Sequence, residues 1–364
     1  MCILINYERL LYSKKKDYTL KLRFLLSELP PFAEYYFRGK ESQTSILTRY
    51  GYAVDLQGFF SFVTKELPTF RGRTVPSLTL DDMAKISPLD IESYLSYVSL
   101  YERSNKEREN SERAKARKLS AIRSFFKYYH KKGMLANNPA ALVDAPKLHD
   151  KAIIRLEANE VADLLDIAED GQGLTKRQLE YRKSTGMQLR DSAILTLFLG
   201  TGIRITELVG INMNEIDFPN NTFLVTRKGG GQEQLSFGPE VKAALWEYYQ
   251  QRKGIIAASG HENALFLSSQ KKRITPRAVE YLVEKYAKIA SPLKKITPHK
   301  LRSTYGSMLY QESGDIYLVA DVLGHKDVNT TRKHYAAQKE KEYRLASRYI
   351  KLREDDDPNT HIDS

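Results

Sequence analysis

Four stretches in the second half of the chain decide how it is interpreted: TGIRITEL at 201–208, TRKGGGQ at 226–232, TPHKLRSTYG at 297–306 and LGHKDVNTTRKHY at 323–335. Each combines charged or imidazole side chains with a glycine or proline, residues that favour turns and helix ends. The candidate site residues in these stretches are Arg204, Lys228, His299, Arg302, His325 and Tyr335.

These residue types suit chemistry at a phosphodiester. Negative charge grows on the non-bridging oxygens during in-line attack, and planar guanidinium groups such as those of Arg204 and Arg302 can each bind them with two hydrogen bonds. A tyrosine nucleophile must lose a proton and the leaving oxygen must gain one, and a histidine and a lysine can serve as base and acid. We therefore expect no metal and no other cofactor.

Local patterns predict how two of these stretches fold. Thr297 is suited to cap a helix that starts at Pro298, so His299 would lie in the first turn and share a face with Arg302. Helix N-termini attract phosphate groups. An HxxR pair is common by itself, however, and most such pairs have no catalytic role.

The turn at 201–202 would deliver Arg204 to the start of another helix, with Glu207 on the same side. Glu207 could hold the arginine in place, or the two could form an ordinary surface ion pair. The segment NTFLVTRKGGGQEQLSF predicts a β-hairpin around three glycines, with Lys228 at the end of its first strand. His325 follows Gly324, which is expected to end a helix.

Composition favours a polyanionic partner. The chain has 364 residues, 41% of them hydrophobic, and its 57 Lys and Arg exceed 45 Asp and Glu, giving a net charge of +12. Such a balance favours nucleic acid through counterion release, although many proteins are mildly basic without any such partner. The single cysteine, Cys2, excludes an intramolecular disulfide and a cysteine-based zinc finger. We expect a cytoplasmic protein without a signal peptide or membrane span.

The first half of the chain has helical periodicity from about residue 26 to 135. Its last helical segment places Leu119, Ile122, Phe126 and Tyr129 on one apolar stripe. The other positions carry cations, which are candidates for DNA binding or simply a solvated charged face. These cations are Lys115, Arg117, Lys118, Arg123 and Lys127.

The periodic segments and the turn-forming residues between them predict a mainly α fold with a small β-sheet, arranged in two domains. In the second domain Asn159 is a candidate helix cap, 169–173 a polar loop, and Ala193, Ile194, Leu197 and Phe198 core residues of a helix from Asp191. The predicted segments are an N-terminal extension (1–25), a helical domain (26–140), a linker (141–152), a second domain (153–353) and a disordered acidic tail (354–364).

The sequence and the order of these motifs resemble the tyrosine recombinase, or phage integrase, family. The motifs are TGIRITEL, the strand lysine, HKLR, LGHKD and the downstream tyrosine. The likeness is strong from Arg204 to Tyr335 and looser over the helical domain, which resembles the family's core-binding domain. Within the family, the chain looks most like Xer-type recombinases of Gram-positive bacteria that act as a single protein. The resemblance implies a two-domain clamp around DNA, with a mixed α/β catalytic domain.

The resemblance also implies a role for each site residue. Arg204 and Arg302 would bind the scissile phosphate, Lys228 would protonate the leaving 5′ hydroxyl and His299 would exchange a proton with the nucleophile. His325 would hydrogen-bond the phosphate, and Tyr335 would form a 3′-phosphotyrosyl bond. Glu207 would contact the catalytic residues rather than the phosphate. The partner would be duplex DNA with a specific recombination site. A homotetramer would hold two such sites, with a monomer or weak oligomer when free.

Several alternatives stay open at this point. The activity could serve chromosome dimer resolution on the nucleoid, or integration and excision of a mobile element. Rivals are a type IB topoisomerase and a non-catalytic DNA-binding factor. His325 and Tyr335 are ten residues apart, one more than the family pattern more often has, which affects the register of the tyrosine segment. The segment 338–352 resembles the family's C-terminal helix, which docks on a neighbouring protomer, and the alternative is a helix folded back on its own domain. Tyr343 and Tyr349 would be apolar contacts of that helix.

Overall fold

The computed structural model describes residues 5–102, 107–148, 154–227 and 230–324. The chain divides into two compact units, Met1–Lys151 and Ala152–Ser364. The described part is mainly helical with short antiparallel strands, which confirms the predicted fold class. In that part of the chain, no helix is long and apolar enough to cross a membrane.

The first unit consists of helices and one small hairpin. Its elements are α1 (Ile5–Ser27), α2 (Pro31–Gly39), α3 (Ile46–Glu66), α4 (Leu80–Ala84), α5 (Pro88–Tyr97), β1 (Leu100–Glu102), β2 (Glu107–Glu109) and α6 (Glu112–Lys131). Short polar residues cap several of these helices, and at α5 the Ser87 hydroxyl and the Asp90 carboxylate bond each other's backbone N–H.

Aromatic side chains fill the core of this unit, and Phe125 of α6 lies among them. Its ring centroid is 5.6 Å from that of Phe32, 5.6 Å from Phe60 and 5.1 Å from Tyr129. These are distances at which tilted and edge-to-face pairs add to the free energy of burial. The four residues predicted to form the apolar stripe of α6 are all buried, as predicted.

The basic face of α6 contacts other parts of the same unit. Arg117 and Lys118 contact Asp55 of α3, which is fully buried, with distances of 2.7 Å from Arg117 Nη2 and 3.4 Å from Lys118 Nζ to Asp55 Oδ1. Burial raises the pKa of Asp55, and the two cations oppose that rise. Arg117 and Lys118 therefore compensate the negative charge of the buried Asp55 carboxylate, in addition to any role in DNA binding.

Two other cations of α6 also have partners within the unit. Arg123 donates to the carbonyl oxygens of Ala140, at 3.2 Å, and Val143. Lys115 Nζ lies 3.2 Å from Ser99 Oγ and also pairs with Glu112. Lys127 is exposed. DNA binding by the five cations stays a prediction, and the structure adds an intramolecular role for four of them.

Two of the predicted segment boundaries fall inside continuous structure. Helix α1 runs through residues 25 and 26, and its Leu22 and Leu25 are buried in the core of the first unit. Val143, within the predicted linker, is buried in the same core. Of the linker, residues 149–152 lie outside the described residues, as do the proposed tail (354–364) and the helical segment (338–352) with Tyr343 and Tyr349.

The second unit places helices around a three-stranded antiparallel sheet. Its elements are α7 (Ala158–Asp170), α8 (Lys176–Thr185), α9 (Gln188–Thr201), α10 (Ile205–Leu208), β3 (Ile216–Asp217), β4 (Thr222–Thr226), β5 (Gln232–Ser236), α11 (Pro239–Lys253), α12 (Pro276–Ala290), α13 (Pro298–Ser313) and α14 (Ile316–Val322). Strands β4 and β5 form the predicted hairpin, in a register that places Val225 opposite Glu233.

Helix α9 is buried along nearly its whole length and packs against α7, α11 and α13. The four residues predicted for its core are all buried. One local prediction was wrong. Helix α7 starts at Ala158 rather than after Asn159, because the carboxylate of Glu160 reaches back to the N–H of Glu157 at 2.7 Å. Residues 176–185 form α8, a helix that the periodicity of the sequence does not predict.

We predict that Phe125→Ala lowers the free energy of unfolding of the first unit by about 3–5 kcal/mol, because it leaves a cavity among packed rings. The matched control is Phe24→Ala, since the Phe24 side chain is 69% exposed. That variant should change the free energy by less than about 0.5 kcal/mol. Urea unfolding followed by circular dichroism measures both. Equal effects would contradict the placement of the core.

Candidate active site

The position of Arg204 depends on Gly202, whose backbone adopts the left-handed conformation. Helix α9 ends at Thr201, and Gly202 follows with a φ of 61°. A Cβ atom at Gly202 would lie 2.3 Å from Tyr305 Cδ1 and 2.9 Å from Leu323 Cδ2, so no other residue fits without displacing these neighbours. Arg204 then occupies the position before helix α10, as predicted.

The Arg204 side chain is fixed by a carboxylate and two carbonyl groups. Its Nη1 atom donates to Glu207 Oε1 at 2.9 Å, and its backbone N–H donates to Glu207 Oε2 at 3.0 Å. Its Nη2 atom donates to the carbonyl oxygens of Leu323 at 3.1 Å and Gly324 at 3.0 Å. Glu207 is only 3% exposed, so this contact differs from an ordinary surface ion pair.

Arg302 reaches the same place from helix α13. The helix starts at Pro298 with Thr297 in the capping position, as predicted, although the Thr297 side chain makes no capping hydrogen bond. Arg302 is 5% exposed and donates to the carbonyl oxygens of Gly202 and Leu323. His299 lies in the first turn of α13 and is exposed.

The two guanidinium groups converge on one point, because both donate to the carbonyl oxygen of Leu323. Two cations brought together in this way repel each other, and Glu207 supplies a compensating negative charge. A pair of planar forks aimed at a common point matches the geometry of an oxyanion such as a phosphate.

A third arginine near the site was missed in the sequence. Arg227, directly after β4, donates through Nη1 to both carboxylate oxygens of Glu207 at 3.1 Å. Its Nε and Nη2 atoms donate to Glu233 of β5 at 2.5 Å and 2.7 Å. The sequence predicts the hairpin that carries Arg227, but the contact of Arg227 with Glu207 depends on packing between segments that are distant in the chain.

Lys228, His325 and Tyr335 lie outside the described residues. The structure therefore brings together Arg204, Arg302 and Glu207 among the predicted site residues, and the rest of the set stays a prediction. In the described ranges, no group of three or more His, Cys, Asp or Glu side chains is arranged to hold a metal ion.

Comparison with known proteins places this chain in a family. The sequence profile of the phage integrase family matches residues 155–342. The tyrosine recombinase XerC of Caldanaerobacter subterraneus subsp. tengcongensis is 32% identical over 353 residues, covering 90% of each chain. XerC of Thermodesulfovibrio yellowstonii is 30% identical over 284 residues, covering 77% of this chain and 82% of the relative.

Solved structures share the fold. The XerH site-specific recombinase, bound to a palindromic difH substrate in a post-cleavage complex, has a TM-score of 0.64 and 18% identity, covering 84% of this chain and 80% of that one. The Tn1549 transposon integrase in complex with transposon right end DNA has a TM-score of 0.60 and 19% identity, covering 86% and 99%.

The chain belongs to the phage integrase family and is a tyrosine recombinase, an enzyme of site-specific DNA breaking and rejoining. The resemblance seen in the motifs is thereby confirmed at the level of the family. The likeness to enzymes of Gram-positive bacteria stays a prediction.

We predict that Glu207→Gln lowers the free energy of unfolding of the second unit by about 2–3 kcal/mol, because it leaves two guanidinium groups without their shared carboxylate. Glu280→Gln is the matched control, since Glu280 forms an exposed pair with Arg277 at 2.9 Å and should matter by less than about 0.5 kcal/mol. Urea unfolding followed by the fluorescence of Trp246, the single tryptophan, reports on this unit. If Glu207→Gln and Glu280→Gln had equally small effects on the free energy of unfolding, Glu207 would not be a buried partner of the two arginines.

Proposed function

We propose that the enzyme acts on duplex DNA carrying a specific recombination site and cuts it through a covalent 3′-phosphotyrosyl intermediate. The single observation that carries this proposal is the convergence of Arg204 and Arg302 on one point, supported by Glu207. Family membership supports it independently, as do the DNA complexes of structural neighbours such as XerH.

In the proposed step, the Tyr335 oxygen attacks the scissile phosphorus and the bond from phosphorus to the 5′ oxygen breaks. The tyrosine proton passes to His299, and Lys228 donates a proton to the leaving 5′ oxygen. Arg204 and Arg302 bind the non-bridging oxygens, with His325 as a further donor. One such preorganised donor is worth about 3 kcal/mol of transition-state stabilisation.

The phosphotyrosyl bond keeps the energy of the broken phosphodiester. The 5′ hydroxyl of another strand can therefore attack it and reseal the DNA without ATP, releasing Tyr335 unchanged. We propose a homotetramer that holds two DNA sites and exchanges strands between them, with a monomer or weak oligomer when free. A clamp of the two units around the duplex stays a prediction from the family resemblance.

Chromosome dimer resolution, on the nucleoid in the cytoplasm, is the favoured biological role. Relatives that match over most of their length and carry the XerC name support it, among them those of Thermodesulfovibrio yellowstonii and Caldanaerobacter subterraneus subsp. tengcongensis. Integration or excision of a mobile element is the second candidate, favoured by the shared fold with the Tn1549 transposon integrase. Both roles use the same chemistry, so the position of the DNA site distinguishes them.

A type IB topoisomerase and a silent DNA-binding factor are the remaining alternatives. Relaxation of any supercoiled plasmid would indicate a topoisomerase, and DNA retardation without strand cleavage would indicate a binding factor. Recombination that depends on a particular site supports the proposal. The named relatives are recombinases, which favours the proposal over both rivals.

We predict that wild-type protein, incubated with sheared genomic DNA of the source organism, forms denaturant-resistant complexes that Tyr335→Phe does not form. Phenylalanine lacks the attacking oxygen, so covalent linkage should be lost while binding is kept. Sequencing of the recovered fragments should give one dominant site, near the replication terminus for dimer resolution or at the edge of a mobile element. Persistent linkage in the variant would exclude Tyr335 as the nucleophile.

We also predict that Arg302→Ala slows strand cleavage by about 100-fold or more, while DNA affinity changes by less than about tenfold because one phosphate contact among many is lost. Arg302→Lys keeps the charge without the planar fork and should fall between this variant and wild type. Single-turnover cleavage and gel retardation measure the two quantities. An unchanged cleavage rate would refute a role of Arg302 at the phosphate.

A further inference from the structure

Arg227 is held by two carboxylates from different parts of the second unit. One is Glu233 of the neighbouring strand β5, which lies diagonally across from Arg227 and accepts from Nε and Nη2 in a two-bond contact. The other is Glu207 of α10, which accepts from Nη1. The side chain of Arg227 is only 13% exposed, so its contact with the buried Glu207 is protected from solvent, whereas the side chain of Glu233 is 42% exposed.

Glu207 is shared between Arg227 and Arg204. Its Oε1 atom accepts from Arg204 Nη1 at 2.9 Å and from Arg227 Nη1 at 3.1 Å. Because the carboxylate is buried, it has little freedom to find other partners. A change in the position of Arg227 is therefore transmitted to Glu207 and from there to the guanidinium of Arg204.

A second contact connects Arg227 with the same region. A Cβ atom built on Gly324, whose φ is 58°, would lie 3.2 Å from Arg227 Cζ. The guanidinium of Arg227 thus lies against the backbone of Gly324, the residue whose carbonyl oxygen accepts from Arg204 at 3.0 Å. Arg227 therefore contacts the carboxylate that orients Arg204 and lies beside Gly324, the residue whose carbonyl oxygen also accepts from Arg204.

Glu233 supports this arrangement electrostatically. Its hydrogen bond with Arg227 lowers the pKa of Glu233, and the charges of Arg204 and Arg302 act in the same direction. Glu233 is therefore ionised at neutral pH and offsets part of the positive charge of the three arginines. Glu233 occupies Nε and Nη2 of Arg227, so only Nη1 of Arg227 contacts Glu207, which also accepts from Arg204.

We propose that Arg227 and Glu233 are positioning residues, which act through Glu207 to set the orientation of the Arg204 guanidinium at the scissile phosphate. The inference rests on the proposed function, because it assumes that Arg204 binds that phosphate. Neither residue touches the phosphate in this account.

The test compares two synthetic duplexes that carry the cleavage site recovered by covalent capture. One has an ordinary scissile phosphate, and the other has a methylphosphonate there, in which a methyl group replaces a charged oxygen. A guanidinium that neutralises that oxygen is needed less on the methylphosphonate. Defects that act through Arg204 should therefore shrink on the second duplex, whereas general loss of folding or of DNA binding should affect both duplexes equally.

We expect Arg227→Gln and Glu233→Gln to slow single-turnover cleavage of the ordinary duplex by about 10- to 100-fold, as for a misplaced charged group. On the methylphosphonate duplex both variants should come within about threefold of wild type. The double variant Arg204→Ala with Arg227→Gln should cleave the ordinary duplex no more slowly than Arg204→Ala alone, because residues that act through one group are not additive.

Arg38→Gln is the matched control, since it removes an exposed Arg–Glu pair with a 2.9 Å contact in the first unit, and it should leave cleavage unchanged. The inference is overturned by equal defects of Arg227→Gln on both duplexes or by multiplicative defects in the double variant. If Arg204→Ala itself is not rescued by the methylphosphonate, the assigned role of Arg204 fails instead, so the two failures can be distinguished.

Discussion

The carbonyl oxygen of Leu323 accepts hydrogen bonds from both Arg204 and Arg302, and the candidate site depends on this convergence. Close guanidinium groups repel each other, and the repulsion is strong wherever solvent is excluded. The fold offsets it with carbonyl dipoles at 202, 323 and 324 and with the buried carboxylate of Glu207. Positive charge is thus fixed in place before any substrate arrives, which is the condition for efficient electrostatic catalysis.

The hydrophobic core makes this arrangement rigid. Helix α9, buried along nearly its whole length, ends at Gly202, whose neighbours Tyr305 and Leu323 leave no room for a side chain. Helix α13 packs against α9 and carries Arg302. Close-packed interiors resist small displacements. The packing of the core therefore fixes the directions of the Arg204 and Arg302 side chains.

Local sequence signals predicted the parts of the site that depend on neighbouring residues. The turn before Arg204, the start of α13 at Pro298 and the hairpin can be read from turn and capping residues within a few positions. The pairing of Asp55 with Arg117, 62 residues away in the chain, cannot. The contact of Arg227 with Glu207, 20 residues away, was hidden for the same reason.

Errors in the prediction have similar causes. The start of α7 was misplaced because a glutamate three residues into the helix competes with Asn159 as the capping signal. The boundary at residue 25 cut through α1, because composition does not reveal which apolar residues, such as Leu22, reach a core. Tertiary packing decides both, and it overrides weak local preferences.

A structure of the Tyr335→Phe variant bound to duplex DNA containing its cleavage site tests the central claim most directly. The account predicts that the guanidinium groups of Arg204 and Arg302 both donate to non-bridging oxygens of one and the same phosphate, with Glu207 still bound to Arg204. Contacts of the two arginines with different phosphates, or with none, would contradict it.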